Sequence, residues 1–96
     1  MENLRQLMAA YFHQDWSDEY NASWEAAVDD FALREPRRVG ETCVEIAATL
    51  RIHPREADLA AFLESLGSYY WPGDTPDAHG EWLRGVLDRL FASATD

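Results

Sequence analysis

Leu4-Arg5-Gln6-Leu7-Met8-Ala9-Ala10-Tyr11-Phe12 runs into His13-Gln14-Asp15-Trp16-Ser17-Asp18-Glu19-Tyr20, and the change of pattern between the two decides the fold. Leu4, Leu7, Met8, Tyr11 and Phe12 recur at i, i+3, i+4, i+7 and i+8, the spacing of one helical face. The residues after Phe12 keep no period and mix carboxylates with Trp and Tyr, so they read as a loop or short turn reaching Ala22. A helix over 3–12 that ends in an aromatic pair is the first expectation.

The same template repeats down the chain. Ser23 is placed as an N-cap, Glu25 complements the helix dipole, and Trp24, Ala27, Val28 and Phe31 mark a helix over 23–34. Glu35-Pro36 ends it, because the residue before proline disfavours the helical region. Pro36 can open a helix over 36–52, with Val39, Cys43, Ile46, Ala47 and Leu50 as its inward stripe. Pro54 opens the next, over 54–66, carried by Leu59, Phe62, Leu63 and Leu66 and stopped by Gly67. Thr75-Pro76-Asp77 reads as cap, first-turn proline and dipole-matching acid for a helix over 76–92, whose face is Leu83, Val86, Leu87, Leu90 and Phe91. Residues 93–96 are expected to fray. No segment alternates as a strand would. The chain reads as one all-α domain spanning 1–96, a compact bundle of about five helices. Two of its connections are long, and in a strictly alternating bundle these two would lie at opposite ends.

The charge is the most informative quantity. Eighteen Asp and Glu face eight basic residues, all Arg, for a net charge of −10. From Gln6 to Leu33 there is no Arg, but there are six acids: Asp15, Asp18, Glu19, Glu25, Asp29 and Asp30. From Glu56 to Leu83 there is again no Arg, with Glu56, Asp58, Glu64, Asp74, Asp77 and Glu81. Such acidity repels nucleic acid and anionic membranes and suits a basic protein partner.

Catalytic and cofactor signatures are missing. His53 and His79 are remote from His13 and lack helical i, i+4 partners, and there is no HExxH or Cys/His cluster. His13 and Asp15 are therefore read as local hydrogen bonding, with Asp15 capping a turn. No GxGxxG or GxxxxGK[ST] cradles a nucleotide, and no cofactor or metal is expected. The single Cys43 lies on the inward stripe of its helix and reads as a small core residue without a disulfide partner. Arg37-Arg38 adjoins Glu35 and Glu41 and reads as a solvated helix start. With no signal sequence and no apolar run of spanning length, the reading is soluble, cytoplasmic and non-enzymatic.

The aromatics point to a surface. Trp24 and Phe31 sit on a helical stripe and belong to the core, while Trp82 covers its edge. Tyr69, Tyr70 and Trp71 are consecutive, so they cannot all enter one core, and Tyr and Trp are enriched among interface hot spots. Both long connections lie within the acidic blocks. Their exposed side chains are the candidates for a contact with a basic partner.

Leu7 through Trp16, with its Tyr11-Phe12-His13-Gln14-Asp15-Trp16 core, resembles the immunity proteins of contact-dependent growth inhibition, the CdiI type. Trp24 to Phe31, Glu45-Ile46, Leu63 to Gly67, Tyr69-Tyr70 and Glu81-Trp82-Leu83 extend the resemblance over nearly the whole chain. It implies a cytoplasmic antidote that binds the C-terminal toxin domain delivered by a neighbouring cell, commonly a nuclease, and blocks its active site or its access to substrate. It further implies that Tyr11, Phe12, Asp15 and Trp16 maintain the scaffold. Toxin contact is then expected at Asp18, Glu19, Tyr20, Glu64, Tyr69, Tyr70, Trp71, Asp74 and Asp77, from a monomer that forms a heterodimer with its toxin. The competing expectation is an acidic regulatory or adaptor protein for another basic partner.

Overall fold

The computed structural model describes residues 1–95, which form α1 (Glu2–Tyr11), α2 (Trp16–Glu19), α3 (Trp24–Arg34), α4 (Val39–Ile52), α5 (Glu56–Ser65) and α6 (Ala78–Thr95). A 3₁₀ turn at Pro36–Arg38 leads into α4. No strand occurs among the described residues, and the fold is all-α as expected. The five expected helices are present, and the one-turn α2 is an addition inside the first long connection.

Local chemistry explains most boundaries. Ser23 Oγ accepts from the Ala26 N–H at 3.1 Å, the N-cap bond its position foretold. Three helix starts shift. Pro36–Arg38 form the 3₁₀ turn, so α4 begins at Val39 and not at Pro36. Arg55 is extended, so α5 starts at Glu56, two residues beyond Pro54, and the His53 ring stacks on Phe62 with centroids 4.6 Å apart across that turn. The Ala78 N–H donates to the Thr75 carbonyl at 3.2 Å, which makes Pro76-Asp77 a tight turn ahead of α6 instead of its first residues. Of the stretch expected to fray, residues 93–95 continue α6, and Asp96 lies outside the described residues.

The inward faces hold two corrections. On α4 the buried residues are Val39, Thr42, Ile46 and Thr49, while Cys43 and Leu50 are half-buried and Ala47 is exposed. A search for apolar periodicity passes over threonine. Here both hydroxyls donate to the carbonyl four residues back, Thr42 to Arg38 and Thr49 to Glu45, each at 2.7 Å, so burial leaves neither unsatisfied. On α6, Leu83, Val86 and Leu90 are buried and Leu87 is half-buried, but Phe91 points outward and is 62% exposed. With Leu4, Leu7, Met8, Phe12, Phe31 and Leu63 these form one core. Each fully buried large side chain contributes about 1.5–3 kcal/mol.

Two helices are capped from a distance. Glu45, on α4, accepts from the Leu4 N–H at 2.9 Å and from Asn3 Nδ2 at 2.7 Å, satisfying the start of α1. Glu56, the first residue of α5, accepts from the His79 N–H at the start of α6, at 3.0 and 3.1 Å. The second bond places the beginnings of α5 and α6 side by side. Helices α3 and α6 also run in the same sense: Trp24 lies against Gly85, Asp29 pairs with Arg89, and Ala32 sits beside Ser93 and Ala94. The bundle is therefore not a simple alternation.

Candidate functional site

The end of α5 determines where the second long connection goes. Gly67 has φ +101°, the Gly67 N–H donates to the Glu64 carbonyl at 2.9 Å, and the Ser68 N–H donates to the Leu63 carbonyl at 3.2 Å. This is a Schellman stop, which needs a left-handed residue. A Cβ on Gly67 would also stand 3.2 Å from the Cα and Cβ of Ala9. The close approach brings the chain beside the end of α1, where the Tyr69 N–H donates to the Phe12 carbonyl at 2.8 Å. Phe12 closes α1, so this carbonyl has no helical donor of its own. The two long connections thus meet at one place. The expectation that they lie at opposite ends fails because α5 and α6 begin together and the chain must return along α5.

An aromatic cluster seals the junction. Tyr70 stacks on Trp82 with centroids 4.3 Å apart, Trp16 meets Tyr70 edge-on at 5.2 Å, and Phe12 touches all three rings at 5.1–5.7 Å. Tyr11 packs edge-on against Phe31. Tyr11 and Phe12 lie in the core and Trp16 packs against it. Asp15 does not: it is exposed, its side chain makes no capping bond, and its N–H donates to His13 Nδ1 at 3.1 Å. Trp82 Nε1 is buried without a partner. In the non-helical segment after Gly67 successive side chains alternate, and with Tyr70 turned inward its neighbours face solvent, Tyr69 63% and Trp71 71% exposed.

Two grooves flank the junction. One, of about 430 Å³, is lined by Glu64, Gly67, Ser68, Tyr69, Tyr70, Trp71 and His79. The other, of about 490 Å³, is lined by Ala10, Tyr11, Glu19, Tyr20, Asp30 and Arg34. The expected contact residues therefore divide. Glu64, Tyr69, Tyr70 and Trp71 share the first groove, Glu19 and Tyr20 the second, and Asp18, Asp74 and Asp77 line neither. His79 was missed by sequence reasoning. Its place in the first groove depends on Glu56, twenty-three residues away, and no local motif signals it.

The charges are unequally spent. Arg34 reaches Asp30 at 2.9 Å, Arg89 grips Asp29 at 2.7 and 2.8 Å, and Arg84 reaches Asp77 at 2.9 Å. His13 Nε2 lies 3.2 Å from Glu19, and His79 Nδ1 lies 2.5 Å from Glu56. Among the described residues Asp15, Asp18, Glu25, Asp58, Glu64, Asp74 and Glu81 have no contacting cation. The second groove is closed on itself. Tyr20 donates to Asp30 at 2.7 Å, and burial, then that bond to a carboxylate, holds its hydroxyl well above the usual phenol range. Burial and the neighbouring Glu35 do the same to Tyr11. Burial, with a smaller push from Glu25, also raises Tyr70.

No cluster of three or more His, Cys, Asp or Glu side chains among the described residues could hold a metal ion, and no helix is long and apolar enough to cross a membrane. No curated protein and no solved structure matches the chain. A family match, however, covers residues 1–90, from the first turn of α1 to the last buried leucine of α6. Over that length, the chain belongs to the CdiI immunity protein family.

Proposed function

We propose that this immunity protein neutralises a basic nuclease toxin domain by covering it with the Tyr69–Trp71 face and the carboxylates around it. The whole chain acts as one binding domain in the cytoplasm, as a monomer that pairs with one toxin, and inhibition needs no catalysis. One observation carries the reading: Trp71 stands 71% exposed beside a groove that the unpaired Glu64 of α5 also lines. Tryptophan is enriched among interface hot spots, and unspent charge beside it steers a partner of opposite sign. A nuclease surface that attracts phosphate is attracted to such a face for the same reason. Asp74, on the same connection, adds to that negative field, and Asp18 adds to it from the first connection. Glu19, Tyr20 and Asp77 have internal partners and take a peripheral part.

The test uses the cognate toxin domain, which this proposal expects to be encoded directly before this chain. Its association with the purified chain, followed by stopped flow, is expected to slow steeply as salt is raised, because steering between opposite charges is screened over about 10 Å at 0.1 M salt. The double variant Trp71→Ala, Asp74→Ala is expected to fold and to lose protection of cells. A folded double variant that protects fully places the contact elsewhere.

A further inference from the structure

The Tyr69–Trp71 groove brings together a carboxylate, an imidazole and three aromatic rings. Glu64 is exposed and has no contacting cation, and no Arg lines the groove. The Ser68 hydroxyl is already engaged, accepting from the Tyr70 N–H at 3.2 Å. Tyr69 and Trp71 present open rings on the same side of the segment. His79 is held in place by Glu56, through its Nδ1 at 2.5 Å and through its backbone N–H. A neutral imidazole that donates Nδ1–H to a carboxylate keeps a lone pair on Nε2, the one ring nitrogen left for a ligand.

We propose that this groove receives a single arginine side chain of the partner, its guanidinium lying against Trp71 and Tyr69 and its N–H edge donating to Glu64 and to His79 Nε2. The inference rests on the toxin-binding reading and deepens it by naming the partner group. An anion is refused by Glu64 and by Glu56 behind His79. An apolar side chain would bury the Glu64 carboxylate unpaired. Between the two cationic side chains, a guanidinium is flat and carries its donors in plane, so it can stack on rings and donate to a carboxylate at once. An ammonium is a compact, strongly hydrated point charge that stacks on no ring and gives up more hydration to enter. Arginine is also the side chain that pairs bidentately with phosphate. A groove that holds such an arginine would compete directly with the nuclease's own substrate.

The test is an NMR titration of the intact, isotope-labelled chain with N-acetyl-arginine amide, compared with the lysine and citrulline amides. Perturbations are expected at Glu64, Tyr69, Tyr70, Trp71 and His79, saturating with the arginine probe and missing with citrulline, which has the same shape without the charge. Trp71→Ala and Glu64→Gln are each expected to weaken binding about fivefold or more with the remaining spectrum unchanged. Perturbations spread over remote acids such as Glu41 and Asp88, equal responses to the lysine and arginine probes, or indifference to Glu64→Gln would each overturn the assignment. Toxin binding by the same variants separates the two ideas. If Trp71→Ala abolishes toxin binding while the arginine probe never binds, only the arginine assignment fails. If the probe binds but Trp71→Ala leaves toxin binding intact, the site reading fails.

Discussion

The two grooves beside Phe12 are made from the same kinds of residue, tyrosines with carboxylates, yet they are in opposite states. Around Tyr20 the hydroxyl is bonded to Asp30, Asp30 is paired with Arg34, and the ring packs on the core. Around Tyr69–Trp71 two rings stand in solvent beside a carboxylate that nothing neutralises. An aromatic and acidic segment is a contact surface only when its bonding capacity is unspent, and composition does not record what has been spent. The difference arises from the neighbours: α3 supplies Asp30 and Arg34 to one groove, and no arginine lines the other.

The hardest way to break the comparison is to remove the junction that both sides share. Phe12→Ala empties a fully buried site touching Trp16, Tyr70 and Trp82, and is expected to cost about 3–5 kcal/mol in urea unfolding. Next come the paired single variants. Trp71→Ala should weaken toxin binding by about 2 kcal/mol or more while stability stays within about 0.5 kcal/mol. Tyr20→Phe should do the reverse, costing about 1 kcal/mol of stability through the lost bond to Asp30 and, from its peripheral place, changing toxin affinity by less than about 0.5 kcal/mol. Calorimetry of the two variants against wild type reads both quantities.

Alkaline pH sharpens the contrast further. Tyr11 and Tyr20 have folded-state values raised above the ordinary phenol value of 10.0, so the fold holds those protons more tightly than the unfolded chain does. Their stabilisation is complete below about pH 10 and is lost as the pH climbs through the folded values. Urea midpoints are expected to fall on going from about pH 8 to about pH 11, and to fall less in Tyr20→Phe. The smallest expected effect lies at the tip of the first connection, where Asn21 and Ala22 have φ of 52° and 60°. Ala22→Gly should raise stability by about 0.5 kcal/mol, the relief of left-handed strain less the added freedom of the unfolded chain. A loss of stability there would mean that the turn is held by something other than its backbone.

The helices were legible because their causes are local: the Ser23 cap, the Gly67 stop and the apolar spacing of α1 all act within a few residues. What was hidden acts across the chain. Glu45 caps α1 and Glu56 caps α6 from more than twenty residues away, and no window of sequence joins them to the helices they serve. Thr42 and Thr49 were passed over because their burial depends on bonds to the preceding turn. Phe91 kept the helical period yet lies outside, since the period gives spacing without saying where a face ends. For the site, the consecutive aromatics showed that some must be exposed. Which ones, and that Tyr70 is the inward ring, follows from the stack on Trp82.

The uneven burial of the four tryptophans has a practical use. Trp82 is buried, Trp16 and Trp24 are half-buried, and Trp71 alone among them is largely open to water. The red edge of the intrinsic emission spectrum, and most of its quenching by acrylamide, should therefore come from a single indole. A partner seated on this face would shift that component to the blue and shield it from quencher, so the unlabelled protein carries its own optical probe of complex formation.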